Sequence, residues 1–289
     1  MTDVGRAASK PSDSKYVATP ARNAEVIRDV QYAKIDGLPL KLDLYLPKNR
    51  TDTPPLLVWI HGGNWKSGRK DRCPLAWLTR HDFAVTSLQY RLSGQAIFPA
   101  QIHDCKGAVR WLRANAEMYR YSAEKVDVSG ISAGGHLATL IGTSSGMKEL
   151  EGTVGGNLDQ SSRAQARLNM CGASDFVRIR TLHYRKDLDN PNAILAQLLG
   201  GPFMKKRDLA RLDSPVPDIS EDDPPLLIFH GEKDPLVPLD QSIHLSDRYR
   251  NAGLAVSLET IPNEPHVPQE FWDARRRSLT LDFFNQHLR

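Results

Sequence analysis

Apolar residues follow two patterns along the chain. Short runs dominated by apolar positions occupy residues 56–60, 83–88, 126–128, 166–170, 226–229 and 255–261, each of a length that suits a strand. Between them lie stretches with helical spacing. In residues 99–116, Ile102, Cys105, Ala108, Val109 and Leu112 recur at three- and four-residue intervals. Residues 134–141, 239–250 and 269–288 also read as helices. Strands apolar on both faces, alternating with helices, predict a mostly parallel twisted sheet covered on both sides. Ahead of this lies a hairpin. Residues 27–33 lead into a turn with Asp36-Gly37, after which Leu40, Leu42, Leu44 and Leu46 alternate with other residues. Period-two alternation around a glycine turn predicts antiparallel strands at one sheet edge. The expected class is α/β.

Three stretches fall outside the alternation. Residues 1–24 are polar and small and are expected to be a mobile tail, leaving 25–289 as a single domain. Residues 142–162 are rich in Gly and Ser. Residues 174–223 form a long insertion between two strands, with a short helix expected at 193–199. The longest apolar runs are far shorter than the roughly 20 residues that span a bilayer, so no membrane helix is expected.

Composition narrows the partners. Apolar residues make up 40% of 289, enough for a substantial core, and the net charge of +4 is small and interspersed. That gives no electrostatic case for nucleic acid or an anionic membrane. The three cysteines, Cys73, Cys105 and Cys171, leave at least one unpaired within the chain, which fits a reducing compartment. No apolar stretch follows Arg6 and Lys10, so no signal peptide is read. The expectation is cytoplasmic, or secreted or periplasmic if a signal has been removed.

The chemistry is carried by Gly130-Ile131-Ser132-Ala133-Gly134, set between a predicted strand and a predicted helix. Such a sharp turn strains its central residue, needs small neighbours two positions away on each side, and projects the serine oxygen above the sheet. His61-Gly62-Gly63-Asn64-Trp65 follows the 56–60 strand, 71 residues before the serine. Its Gly-Gly turn leaves amides free to approach an oxyanion together with the Ala133 amide. Of nine histidines, only His266 lies in a loop after the last predicted strand, where this architecture gathers site residues. Two aspartates compete for the acid. Asp234 follows the 226–229 strand and Asp175 the 166–170 strand, and both respect the chain order Ser, Asp, His. Asp234 is preferred, with Asp175 as a loop-shaping or helix-start residue.

With these residues in view, the chain resembles an α/β-hydrolase of the esterase/lipase group related to hormone-sensitive lipase. Within it, the bifunctional feruloyl and acetylxylan esterase-like branch is most similar. The resemblance runs from about Leu42 to the C-terminus. It rests on Leu42-Asp43-Leu44-Tyr45-Leu46-Pro47, His61-Gly62-Gly63-Asn64-Trp65, Tyr90-Arg91-Leu92-Ser93, Phe98-Pro99-Ala100-Gln101-Ile102-His103-Asp104, Arg110-Trp111-Leu112-Arg113, Ser132-Ala133-Gly134-Gly135-His136-Leu137-Ala138, and His230-Gly231 with Asp234. It implies a Ser132–Asp234–His266 triad and an oxyanion hole at Gly62, Gly63 and Ala133. It also implies a serine carboxylesterase that forms an acyl-enzyme on small-molecule or carbohydrate-linked esters, without metal or cofactor. Two departures bear on loop shape and substrate preference: Asn64 replaces a third glycine, and Pro265 and Val267 flank His266 where glycine is usual.

The same machinery also fits a kynurenine formamidase-like amidase. A dipeptidyl-peptidase-like hydrolase is disfavoured because no propeller domain accompanies the fold. A non-catalytic binding module is the reading of another class, though candidates for all three triad members are present. Asn64, Trp65, Tyr184 and Phe203 are candidate pocket residues, and Trp272 a further aromatic. Arg275-Arg276-Arg277 reads as a solvated helix face.

Overall fold

In the computed structural model the described residues are 24–49, 52–178 and 190–289. The expected 1–24 tail lies almost wholly outside them. The eight strands are β1 (Ala24–Ile35), β2 (Leu38–Pro47), β3 (Pro55–Ile60), β4 (Ala84–Leu88), β5 (Ser122–Ile131), β6 (Ala166–Met170), β7 (Leu226–Gly231) and β8 (Val256–Ile261). They form one sheet in the order β1-β2-β4-β3-β5-β6-β7-β8. The β1–β2 and β2–β4 pairs are antiparallel, and every other pair is parallel. This is an α/β-hydrolase sheet with an antiparallel hairpin at one edge.

Strand β3 is apolar throughout because both of its faces are covered. In β3, Leu56, Val58 and Ile60 enter one core while Leu57 and Trp59 enter the other. Helix α1 (Ala100–Ala114) turns its predicted stripe of Ile102, Cys105, Ala108, Val109 and Leu112 into the first core. Helix α2 (Ala133–Thr143) is buried along its whole length beside it. Helix α3 (Asp240–Asn251) packs Leu245 and Tyr249 against Leu226 and Ile228 of β7. Helix α4 (Ala274–Leu288) seals the opposite face with Phe284 and Leu288.

Two elements depart from the periodicity. The 126–128 run is part of a longer strand because its polar leading end pairs too, with Ser122 beside Pro55 and Arg113 donating to the Ala123 carbonyl. The 269–288 helix is split. Asp273 has extended backbone and accepts the Arg276 amide at 2.8 Å, so it caps α4 after a short 3-10 turn. Arg276 is also paired with Glu259 and Asp273 and is largely covered, so 275–277 is not a uniformly solvated face. In the described part of the insertion, two six-residue helices and two 3-10 turns appear, with Ile194–Leu199 at the expected place. No helix among the described residues is long and apolar enough to cross a membrane.

Candidate active site

Ser132 sits between β5 and α2 with φ 53° and ψ −120°, a strained combination for a residue with a Cβ. The turn is tight enough to dictate its neighbours. A Cβ on Gly130 would lie 2.2 Å from the Gly134 carbonyl oxygen, and one on Gly134 would lie 2.0 Å from that of Ile60. Only glycine fits at either place. The Ser132 amide donates to the Met170 carbonyl at 2.8 Å, which ties the turn to the end of β6.

His266 lies in the loop after β8. Its Nε2 is 2.9 Å from Ser132 Oγ and its Nδ1 is 2.6 Å from Asp234 Oδ2. A ring nitrogen facing a carboxylate carries the hydrogen, so Nε2 is left to accept from the serine. Asp234 is 9% exposed. Its Oδ1 accepts the Leu236 and Val237 amides at 2.8 and 2.9 Å, and His230 Nε2 stands 3.3 Å from Oδ2. Burial alone would raise this carboxyl's pKa, but hydrogen bonds from His230 and His266 outweigh it and hold Asp234 well below the usual carboxylate range. For His266, burial works against the charged ring, whereas Cys171 and then Asp234 favour it and raise the pKa above the ordinary imidazole value.

The glycine turn after β3 faces the serine. A Cβ on Gly62 would lie 3.2 Å from Ser132 Cβ, and Gly63 has φ 115° in a turn whose carbonyl accepts the Lys66 and Ser67 amides at 3.0 Å. His61 braces this turn. Its Nδ1 donates to the Gly62 carbonyl at 2.8 Å, and its ring stacks on Tyr90 at 4.5 Å. Burial lowers its pKa to about 4, so the ring stays neutral. Ala133, 2% exposed, follows Ser132 at the first turn of α2.

The other candidates scatter. Asn64 is exposed beside the turn, while Trp65 is buried edge-on against His136 and Phe176. Phe203 is 1% exposed and belongs to the core, as aromatics commonly do. Tyr184 lies outside the described residues. Trp272 packs on Trp59 at 6.2 Å. Asp175 does not join His266. Its Oδ1 accepts the Arg178 amide at 2.8 Å and its Oδ2 is 3.7 Å from His244.

One residue escaped the sequence reading. Cys171 Sγ, an Asp234 carboxylate oxygen and a His266 ring nitrogen all lie within 4.8 Å of one another. Sulfur, oxygen and nitrogen donors could in principle hold a soft metal ion, but here two of them are already joined by a short hydrogen bond. The available signal was position: Cys171 directly follows β6, at the same sheet edge as Ser132 and Asp234.

A serine on a strained strand-to-helix turn, at the carboxyl edge of this sheet and hydrogen-bonded to a late histidine, is the arrangement of an α/β-hydrolase. The chain belongs to the BD-FAE family, whose model matches residues 42–249. It is 29% identical to esterase LipQ of Mycobacterium tuberculosis over 217 residues, 74% of this chain and 50% of LipQ. It is 27% identical to the ethyl acetate hydrolase of Pseudomonas putida over 272 residues, 88% of this chain and 79% of that protein. Among solved structures, a truncated carbohydrate esterase from gut microbiota is 30% identical, with a TM-score of 0.83 over 92% of this chain and 98% of that one. The chain spans about half the length of several curated relatives it matches, LipQ among them.

Proposed function

We propose that this protein is a serine carboxylesterase that removes short acyl groups, of acetyl or feruloyl type, from small or carbohydrate-linked alcohols. The observation that carries this reading is the continuous relay from Ser132 Oγ through His266 to Asp234, with links of 2.9 and 2.6 Å. In the proposed reaction, His266 Nε2 takes the serine proton as Oγ attacks the ester carbonyl. The tetrahedral oxyanion faces the amides of Gly62 or Gly63 and Ala133. Collapse expels the alcohol, which receives the proton from His266. Water then attacks the acyl-enzyme, giving its proton to His266, and His266 returns that proton to Ser132 Oγ as the carboxylic acid leaves. Asp234 keeps the hydrogen on Nδ1 and offsets the charge of the transient imidazolium.

The short-acyl assignment is supported by the names of two relatives, an ethyl acetate hydrolase and a carbohydrate esterase. It also agrees with the site's surroundings. Trp65 and Phe176 are buried rings packed edge-on at 5.6 Å, and the insertion helices Ile194–Leu199 and Arg207–Leu212 are six residues each. Each methylene adds about 0.8 kcal/mol of binding only where a dry groove receives it. The test is a p-nitrophenyl ester series with methyl ferulate and acetylated xylan, alongside fluorophosphonate labelling. We expect kcat/KM to peak at two to four carbons, and Ser132→Ala to abolish labelling and lower kcat by about 10⁴-fold or more. A rise in kcat/KM from acetyl to decanoyl would overturn the acyl assignment, and an unlabelled wild-type protein would overturn the nucleophile.

A further inference from the structure

Four neighbouring parallel strands, β5 to β8, end in turn at Ser132, Cys171, the Asp234 loop and the His266 loop. Three of these residues make up the proposed relay. Cys171, between the serine and the aspartate, has no part in it so far.

Its setting is unusual for a core cysteine. The backbone has φ 46°, in the left-handed region that residues with a Cβ seldom enter. It is held there from both sides: its amide donates to the Phe229 carbonyl at 2.8 Å, while the preceding Met170 carbonyl accepts the Ser132 amide at 2.8 Å. The side chain is fully buried, with its sulfur within 4.8 Å of the Asp234 carboxylate and the His266 ring. The other two cysteines lie elsewhere, Cys105 on α1 in the first core and Cys73 in the second.

We propose that Cys171 is a positioning residue for His266, its sulfur holding the imidazole from the sheet side so that the ring stays aligned between Asp234 and Ser132. The proposal rests on the relay reading given above. The chemistry follows from what sulfur can do. A thiol sulfur is a weak acceptor and is highly polarizable, so it favours a ring N–H and the positive charge that spreads over the imidazolium. Among the described residues, the groups facing this ring are Asp234 from the β7 loop, Ser132 from the turn after β5 and Cys171 from the end of β6. His230 stands behind the Asp234 carboxylate. Cys171 and Asp234 both raise the pKa of His266 against the opposing effect of burial.

Two effects should follow from removing the sulfur. The protonated ring loses part of its support, so the acid limb of the kcat/KM profile moves to lower pH. The ring also gains freedom to turn away from Ser132, so kcat falls, while KM changes little because the buried thiol touches no substrate.

The experiment uses the full chain carrying Cys171→Gly, Cys171→Ala and Cys171→Ser, assayed with p-nitrophenyl acetate across pH 5–10. Glycine suits the left-handed backbone, so that variant removes the sulfur without straining the turn. We expect Cys171→Gly and Cys171→Ala to lower kcat by about 10- to 100-fold, the loss typical of a slightly misplaced catalytic group. The acid limb should fall by about half a pH unit or more. Serine, which keeps an acceptor at the same position, should recover most of both. If the glycine and alanine variants keep the parental kcat and acid limb, even with a lower thermal midpoint, Cys171 is packing and the proposal is wrong. Should alanine fail to fold, the glycine and serine variants decide on the same criteria. Fluorophosphonate labelling of the wild type separates the two readings: no labelling overturns the relay, whereas a labelled wild type with indifferent Cys171 variants overturns only the positioning role.

Discussion

Asp234 gives one carboxylate oxygen to His266 and the other to two backbone amides of its own loop, so its geometry is locked at both ends. Asp175 also follows a strand, yet its oxygens serve the Arg178 amide and the neighbourhood of His244. The two should therefore respond oppositely to substitution. Asp234→Asn is expected to lower kcat by about 10⁴-fold while the protein stays folded, because the imidazole loses its tautomer control. Asp175→Ala should leave kcat within a few-fold and lower stability by about 0.5–2 kcal/mol, as the loss of a helix-start acceptor does. Measuring kcat and the thermal midpoint of both variants checks this, and a folded but nearly inactive Asp175→Ala would reverse the assignment. Chain order could not separate these aspartates, since both lie between Ser132 and His266. What separates them is which loop turns back over the sheet edge, a long-range fact. His266 was legible because no other histidine lies in the loop after the last predicted strand; His287 falls in the final helix. Cys171 was not, because a single cysteine after an apolar strand reads as core until its neighbours in space are known.

At the scale of elements, the turn from β5 into α2 is wedged against the end of β3. Gly134 has no room for a methyl group beside the Ile60 carbonyl. Gly134→Ala should force this turn outward, destabilising the protein by about 1–3 kcal/mol, the usual range for overpacking. It should also slow fluorophosphonate labelling of Ser132. Urea unfolding and labelling rates test the pair of effects, and an alanine variant as stable and reactive as the parent would contradict the wedge. This element was legible from its two glycines and its strand-to-helix position, because the steric demand is local. Element ends were less so. Asp273 interrupts the last helix through a capping bond to Arg276, and β5 reaches back to Ser122 through sheet pairing. Both boundaries are set by polar contacts that leave no mark on apolar periodicity.

Across the whole molecule, helix α2 is joined to the insertion by a buried polar contact: His136 Nε2 donates to the Asp213 carbonyl at 2.6 Å. Both side chains are fully buried, and neither Asp213 carboxyl oxygen has a hydrogen-bond partner among the described residues. Burial raises the Asp213 pKa well above its ordinary 3.8 and lowers that of His136 to about 4, so it disfavours the charged form of each. For Asp213, the unfolded chain ionises above about pH 4 while the folded chain keeps its proton, so this residue subtracts stability increasingly as pH rises toward its folded value. Asp213→Asn removes that penalty. Its gain in thermal midpoint over the parent should be larger at pH 8 than at pH 5, by about 2–4 °C for each kcal/mol released. An equal or smaller gain at pH 8 would show that the carboxyl is not held neutral. The ordering of the strands carries a further consequence. The serine and its base are 134 residues apart and meet only across β6 and β7. During synthesis the nucleophile emerges and can fold into its turn long before its histidine exists. Under the proposed mechanism a ribosome-bound chain would carry an inert serine, and ester cleavage would begin only once the last strand had docked, so turnover would report that translation had passed His266.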